Sequence, residues 1–277
     1  MDNVGLGFRR DLSDEILALN YNESPAFIEI APENWIDLGG YWGKILKSAA
    51  ERFPITSHGL SLSIGSPDPL DWDYIKKIKH FLNENNISIY SEHLSYSQSK
   101  NAHLYDLLPI PFREDAVKHI SQRLREVQDF LEMPIALENV SYYTPVAAEM
   151  DEATFISSIV QESGCKLLLD VNNVFVNSFN HNYDPQEFIS KLPLSEVQYI
   201  HMAGHEKVEE DLIIDTHGQP IISDVFELFE WTLPQLNKVP VLLERDFNFP
   251  EMAEIVQELN TLEAITQKSW TKTMKHA

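Results

Sequence analysis

The residues best suited to chemistry in this chain stand at the ends of short apolar runs. His58 closes PITSH, Glu92 closes SIYSE with His93 beside it, and Glu138 closes PIALE ahead of Asn139. Asp170 closes KLLLD ahead of Asn172 and Asn173, and His201 closes VQYIH with His205 beyond it. Glu244 closes PVLLE ahead of Arg245 and Asp246, and a separate stretch supplies Asp215-Thr216-His217-Gly218. One such residue means little, because Asp and Asn often end strands as caps of the next helix, and a lone His is usually a hydrogen-bonded core or rim residue. Successive runs ending this way mean more if the runs are parallel strands with one common mouth. Glu138, Asp170 and Glu244 would then be three anions within a few ångströms, which costs several kcal/mol or forces protonation. Cations remove the difficulty, so a multinuclear metal site is expected. Imidazole and carboxylate without thiolate suit Fe, Mn, Zn or Co rather than copper(I) or an iron–sulfur cluster. The donors exceed what one ion takes, so two or three ions are expected, with a carboxylate such as Glu138 bridging.

The elements that must position these groups are legible in the alternation of short and long segments. Short apolar runs at Val4–Phe8, Phe27–Ile30, Pro54–His58, Ser88–Glu92, Pro134–Glu138, Lys166–Asp170, Val197–His201 and Pro240–Glu244 read as strands buried on both faces. Amphipathic stretches at Leu12–Leu19, Tyr41–Arg52, Trp72–Glu84, Glu114–Leu131, Glu152–Glu162, Pro185–Ser190, Asp224–Leu236 and Glu251–Ile265 read as helices. Asp71 and Asp184-Pro185 are N-terminal caps, and Gly164 is a C-terminal one. Eight strand–helix units in 277 residues predict a (β/α)8 TIM barrel. An open doubly wound sheet is the rival, but no GxGxxG follows an early strand. One domain over residues 1–277 is expected, with a disordered tail from about residue 268.

Composition narrows the function classes. The chain has 21 basic and 43 acidic residues, a formal net charge of −22. Such a field disfavours nucleic acid and anionic lipid surfaces as partners. No apolar run reaches the roughly 18 residues of a membrane span, and four acidic residues among the first twenty argue against a leader. A cytoplasmic location is expected. The single cysteine, Cys165, excludes an internal disulfide and reads as buried and inert. His80 and His119 read as solvated mid-helix residues, and His276 lies in the tail. His103 and His181 are expected in loops facing the mouth, Phe226, Phe229 and Trp231 in the core, and Arg9-Arg10 as partners of nearby acids.

The segments GLGFR, SHGLSLSIGSPDPL, SEHLSY, PIALENVS, LLLDVNNVFVNSFNH, YIHMAGH, IIDTHG and LLERD, in this order from about Gly5 to Glu258, resemble the multinuclear non-haem iron-dependent oxidative enzymes. That group has a xylose-isomerase-like TIM barrel and includes the methanobactin oxidase. The resemblance implies two or three iron ions and an O2-dependent reaction on cysteine residues of a ribosomally made peptide. A Cys-containing precursor peptide is the implied substrate, and a small leader-recruiting partner protein is known for several members. Carried over residue by residue, one ion would take His58, His93 and Glu138. A second would share Glu138 and add Asp170, His201 and Glu244. A third would use Asn173, Asp215 and His217. His205 would be a ligand or a partner of one. Asp246 is the candidate proton acceptor, the alternative being an ion-pair partner of Arg245. Zinc or manganese remains the alternative metal, with metal-assisted hydrolysis or sugar isomerisation as the rival chemistry. Against the isomerase, no strand ends in Lys. A non-catalytic metal-binding protein is the third possibility.

Overall fold

The computed structural model describes residues 3–99, 102–144 and 147–273. Eight parallel strands close into a barrel: β1 (Val4–Gly7), β2 (Ile28–Ile30), β3 (Ile55–Gly59), β4 (Tyr90–His93), β7 (Ile135–Glu138), β8 (Lys166–Asp170), β9 (Val197–Met202) and β12 (Val241–Leu243). Two antiparallel hairpins, β5–β6 (Tyr96–Ser99 with Ala102–Leu108) and β10–β11 (His205–Lys207 with Ile213–Asp215), rise from the exits of β4 and β9. The helices are α1 (Ser13–Ala18), α2 (Gly40–Arg52), α3 (Trp72–Glu84), α4 (Glu114–Leu131), α5 (Glu152–Ser163), α6 (Val171–His181), α7 (Pro185–Lys191), α8 (Ser223–Thr232) and α9 (Met252–Thr273). The expected (β/α)8 order is therefore the observed one. Among the described residues no helix is long and apolar enough to cross a membrane.

Strand periodicity decides what enters the lumen. Outward-facing side chains such as Leu137, Leu167, Leu169 and Ile200 join the large core between strands and helices. Ala136, Leu168 and Tyr199 belong to a separate small cluster inside the barrel. Two residues further along the same strands, hence on the same face, stand Glu138, Asp170 and His201. The lumen is thus apolar in its middle and polar at its mouth. At the start of β1 it is closed by Phe27, whose ring carbons lie 2.5 Å from where a Cβ on Gly5 would sit.

Three features depart from the sequence expectations. Helix α6 follows β8 without a loop, so His181 ends a helix instead of lying in a loop. Its Asn- and Val-rich sequence has weak helix propensity, and burial of Val171, Val174 and Val176 overrides it. The hairpins are short and polar, with no alternation to announce them. Helix α9 runs to Thr273, so disorder does not begin at 268: Trp270 is buried, with the Lys238 ammonium 5.7 Å from its ring, and Lys268 pairs with Glu230. Residues 274–277, including His276, lie outside the described residues.

Smaller readings resolve as well. His119 is exposed, as expected, and its Nε2 also meets the Ser66 carbonyl at 2.8 Å. His103 lies in β6, in backbone register with Gln98. Cys165 is buried, and burial pushes its thiol up to about 11. Phe229 is fully buried, while Phe226 and Trp231 pack on the core from its edge. Replacing Gly5 by Ala should lower stability by about 1–3 kcal/mol by overpacking against Phe27, read as a fall in the urea midpoint at constant slope.

Candidate metal centre

The ends of β3, β4, β7, β8, β9 and β12 deliver His58, His93, Glu138, Asp170, His201 and Glu244 to one place. Glu138 is the hub. Its Oε2 lies 2.8 Å from His58 Nε2 and 3.2 Å from His93 Nε2. Those two nitrogens are themselves 3.2 Å apart. On its other side, Oε1 accepts from Asn173 Nδ2 at 3.2 Å and is 3.9 Å from His201 Nδ1. His201 Nδ1 is 3.1 Å from Glu244 Oε2, and Glu244 Oε2 is 3.3 Å from His217 Nδ1. His217 Nε2 lies 2.7 Å from Asp215 Oδ1.

Many of these atoms converge without satisfying one another. Glu138 Oε2, Asp170 Oδ2, Asn173 Oδ1, His201 Nδ1, His217 Nε2 and Glu244 Oε2 are buried and have no partner in hydrogen-bond geometry. Buried polar atoms are normally paired, and each orphan costs about 1–3 kcal/mol. Three sets bring one donor atom from each member within 4.8 Å of the others: His58, Glu138 and His201; Glu29, His201 and Glu244; and Asp170, His217 and Glu244. A cation supplies what all the orphans lack. The donor set of imidazoles and carboxylates fits divalent iron, zinc or manganese.

Electrostatics point the same way. Burial opposes charge on Glu138, but His93 and His58 hold its carboxyl down at about 2. Burial opposes charge on Glu244 as well, and His217 and His201 keep it well below the usual carboxylate range. Asp170 goes the other way, raised well above that range by burial and by the charges of Glu138 and Asp215. His201 and His217 are held protonated despite burial, the first by Glu29 and Glu244, the second by Asp215 and Glu244. His93 is lowered by burial. Without cations, His201, His217 and Asp170 are the groups whose raised affinity for protons offsets the other carboxylates.

Each expected position can be placed. Asp170 plays two parts: Oδ1 caps α6 by accepting from Asn173 N at 2.6 Å, and Oδ2 is left free. Asn173 Nδ2 donates to Glu138 Oε1 at 3.2 Å and to the Asn139 carbonyl at 3.1 Å, and its Oδ1 is buried without a partner. Asp215 is held by Asn172 Nδ2 at 2.8 Å and by Ser141 Oγ at 3.3 Å. His205 reaches none of the three sets; its Nδ1 meets Asn172 Oδ1 at 2.8 Å, so it acts on Asp215 through Asn172. Asp246 pairs with Arg9, whose Nε donates at 2.7 Å, and lies 3.1 Å from His217 Nδ1. Arg245 is not its partner, because that side chain turns to Glu258. Arg9 also donates to Glu244 Oε1 at 2.8 Å. Arg10 instead stacks on Trp35 and Trp42. Glu92 points outward, hydrogen-bonded to Tyr90 and Leu62.

One buried group went unread. Glu29, in the middle of β2, lies in the lumen and accepts from His201 Nε2 at 3.1 Å. Its only signal is a carboxylate inside the apolar run FIEI. Above the cluster opens a cavity of about 720 Å³, lined by Arg9, Leu60, Tyr143, Thr216 and Asp246 among others.

Residues 3–267 match the model of the family described as RiPP precursor modification enzyme MbnB/TglH/ChrH. The chain belongs to that family. Relatives within reach include proteins called UPF0276 protein from Nitrosospira multiformis, 52% identical over 261 residues covering 92% of this chain and 90% of the relative, and from Shewanella sediminis, 48% identical over 259 residues covering 94% and 92%. Among solved structures, an L-ribulose 3-epimerase superposes with a TM-score of 0.66 at 12% identity, covering 100% of this chain and 98% of that one. A xylose isomerase domain protein from Planctomyces limnophilus gives 0.61 at 11%, covering 97% and 98%. The family member described here thus has the xylose-isomerase-like TIM barrel, a likeness of fold alone.

Asp170→Asn should leave the cation-free protein as stable or more stable, since it removes an ionisable group that burial already disfavours. The same change should abolish much of the melting-temperature rise on adding Zn²⁺. Zinc affinity should climb with pH as His201 and His217 lose their protons, measured by chelator competition between pH 6 and 8.

Proposed function

We propose that this protein is a multinuclear non-haem iron oxidase that uses O2 to modify a cysteine of a ribosomally made precursor peptide. The observation that carries the metal part is the set of buried, unpartnered donor atoms converging beneath an open cavity. The peptide substrate follows from family membership. His58, His93 and Glu138 would hold one ion, and Glu138, Asp170, His201 and Glu244 a second. Asp215, His217 and Asn173 would serve a third, with Asp170 and Glu244 within reach of His217.

When bound, reduced iron would supply O2 activation and acidify a coordinated substrate thiol. The protein's own residues do the rest. Arg9 holds one oxygen of Glu244, leaving the other aimed at His201 and His217. Asn172 and Ser141 fix Asp215. Asn173 pins Glu138 between the two halves of the cluster. Asp246 has a side chain 38% exposed at the mouth and stands beside His217, so it is the group placed to take a proton from an entering substrate. Leu60 and Tyr143 give the cavity an apolar rim for a peptide segment.

The test is to load the protein anaerobically with Fe(II) and admit O2 with a short Cys-containing peptide encoded beside its gene. Peptide-dependent O2 uptake with a mass change at cysteine is expected, absent for a Cys→Ser peptide and reduced at least about 100-fold by Glu138→Gln. Iron-loaded protein that consumes no O2 with the peptide, or equal turnover with zinc alone, would contradict the oxidase.

A further inference from the structure

Beneath the metal centre runs a hydrogen-bond chain through Ser91 and Tyr199, which belong to none of the donor sets. His58 Nδ1 lies 2.7 Å from Ser91 Oγ. Ser91 Oγ is in close contact with Tyr199 Oη, and Tyr199 Oη lies 2.9 Å from Glu29 Oε2. The same Glu29 oxygen is 3.1 Å from His201 Nε2. Ser91 and Tyr199 are fully buried and Glu29 nearly so, at 1%. Solvent does not compete for these protons.

The direction of the chain follows from its end. The Tyr199 hydroxyl donates its one proton to Glu29 Oε2. Its oxygen then accepts the Ser91 proton. The other acceptor open to Ser91, the Ser57 carbonyl, is 3.4 Å away and competes poorly. With its own proton spent, Ser91 accepts from His58, so His58 carries its proton on Nδ1. His201 donates from Nε2 to the same oxygen. In the neutral imidazoles that metal binding requires, the bare nitrogens are then His58 Nε2 and His201 Nδ1, the two that face Glu138. His93 reaches the same state locally, through Nδ1 and the Gly59 carbonyl at 3.0 Å.

We propose that Glu29 is a positioning residue that sets the tautomers of two metal-facing histidines on opposite walls of the lumen, His201 directly and His58 through Tyr199 and Ser91. This rests on the reading of His58 and His201 as metal ligands. It explains a tyrosine hydroxyl in the lumen beside Ala136 and Leu168. Partners of this kind orient ligating imidazoles and raise their basicity. Here one carboxylate serves two histidines, so its loss touches two ions at once.

The probe is Zn²⁺ alone, titrated against a chelator, with long-range ¹H–¹⁵N spectra of the histidines in the zinc-loaded protein. Wild type should show His58 protonated at Nδ1 and His201 at Nε2. Tyr199→Phe and Ser91→Ala should each weaken the ion at His58 about 10- to 100-fold and leave the ion at His201 within about threefold. Their double variant should be no worse than either single, as expected for links of one chain. Glu29→Gln should weaken both ions. A wild type that binds no zinc would overturn the ligand reading and this inference with it. Normal zinc binding with the opposite tautomers would overturn the inference alone. So would Tyr199→Phe and Ser91→Ala proteins that bind as wild type does.

Discussion

Four carboxylates, Glu29, Glu138, Asp170 and Glu244, share a barrel lumen from which water is almost excluded. The rest of the structure answers to that fact. Among the described residues no lysine is paired with these four carboxylates, and Arg9 reaches Glu244 and Asp246 from the rim. Without cations the charge is balanced by protons on His201, His217 and Asp170, an arrangement that leaves many donor atoms unpartnered. Protons are poor occupants here, since each satisfies one or two atoms where a metal ion satisfies four to six. The strand order and the two-residue period of each strand bring the anions together; the helices and the apolar middle of the lumen keep water away from them.

Much of this was legible because a parallel barrel makes strand ends informative. Once eight runs are taken as strands, residues far apart in sequence must share a mouth, and His58, Glu138, Asp170, His201 and Glu244 do so. Asp170 shows why single residues mislead: one oxygen caps the next helix, and the other lies buried and unpartnered at the mouth. Glu29 was illegible for the converse reason. It precedes the end of its strand, and FIEI does not say which alternate face points inward; only the pairing of Glu29 with Gly7 and Thr56 does. The alternative reading of Asp246, an ion pair with Arg245, rests on adjacency, yet neighbours on an extended segment point apart, and their partners are Arg9 and Glu258.

The L-ribulose 3-epimerase and the xylose isomerase domain protein superpose on this chain at 12% and 11% identity. The barrel is common to them; the residues at its mouth are a separate matter, because function resides in sites carried by folds. Within this chain the mouth is distinguished by the β5–β6 and β10–β11 hairpins. They place Asp106, Leu107 and Asp215 around the cavity and give the site a rim that strand ends alone would not supply.

The central claim is that the buried cluster is a multinuclear metal centre. Anomalous diffraction at the metal absorption edges, from crystals of protein purified without added metal, tests it most directly. The account predicts two or three peaks a few ångströms apart, the strongest beside Glu138 and between His58 and His201. A single peak remote from Glu138, or none in protein whose bulk analysis also shows no metal after anaerobic reconstitution, would contradict it.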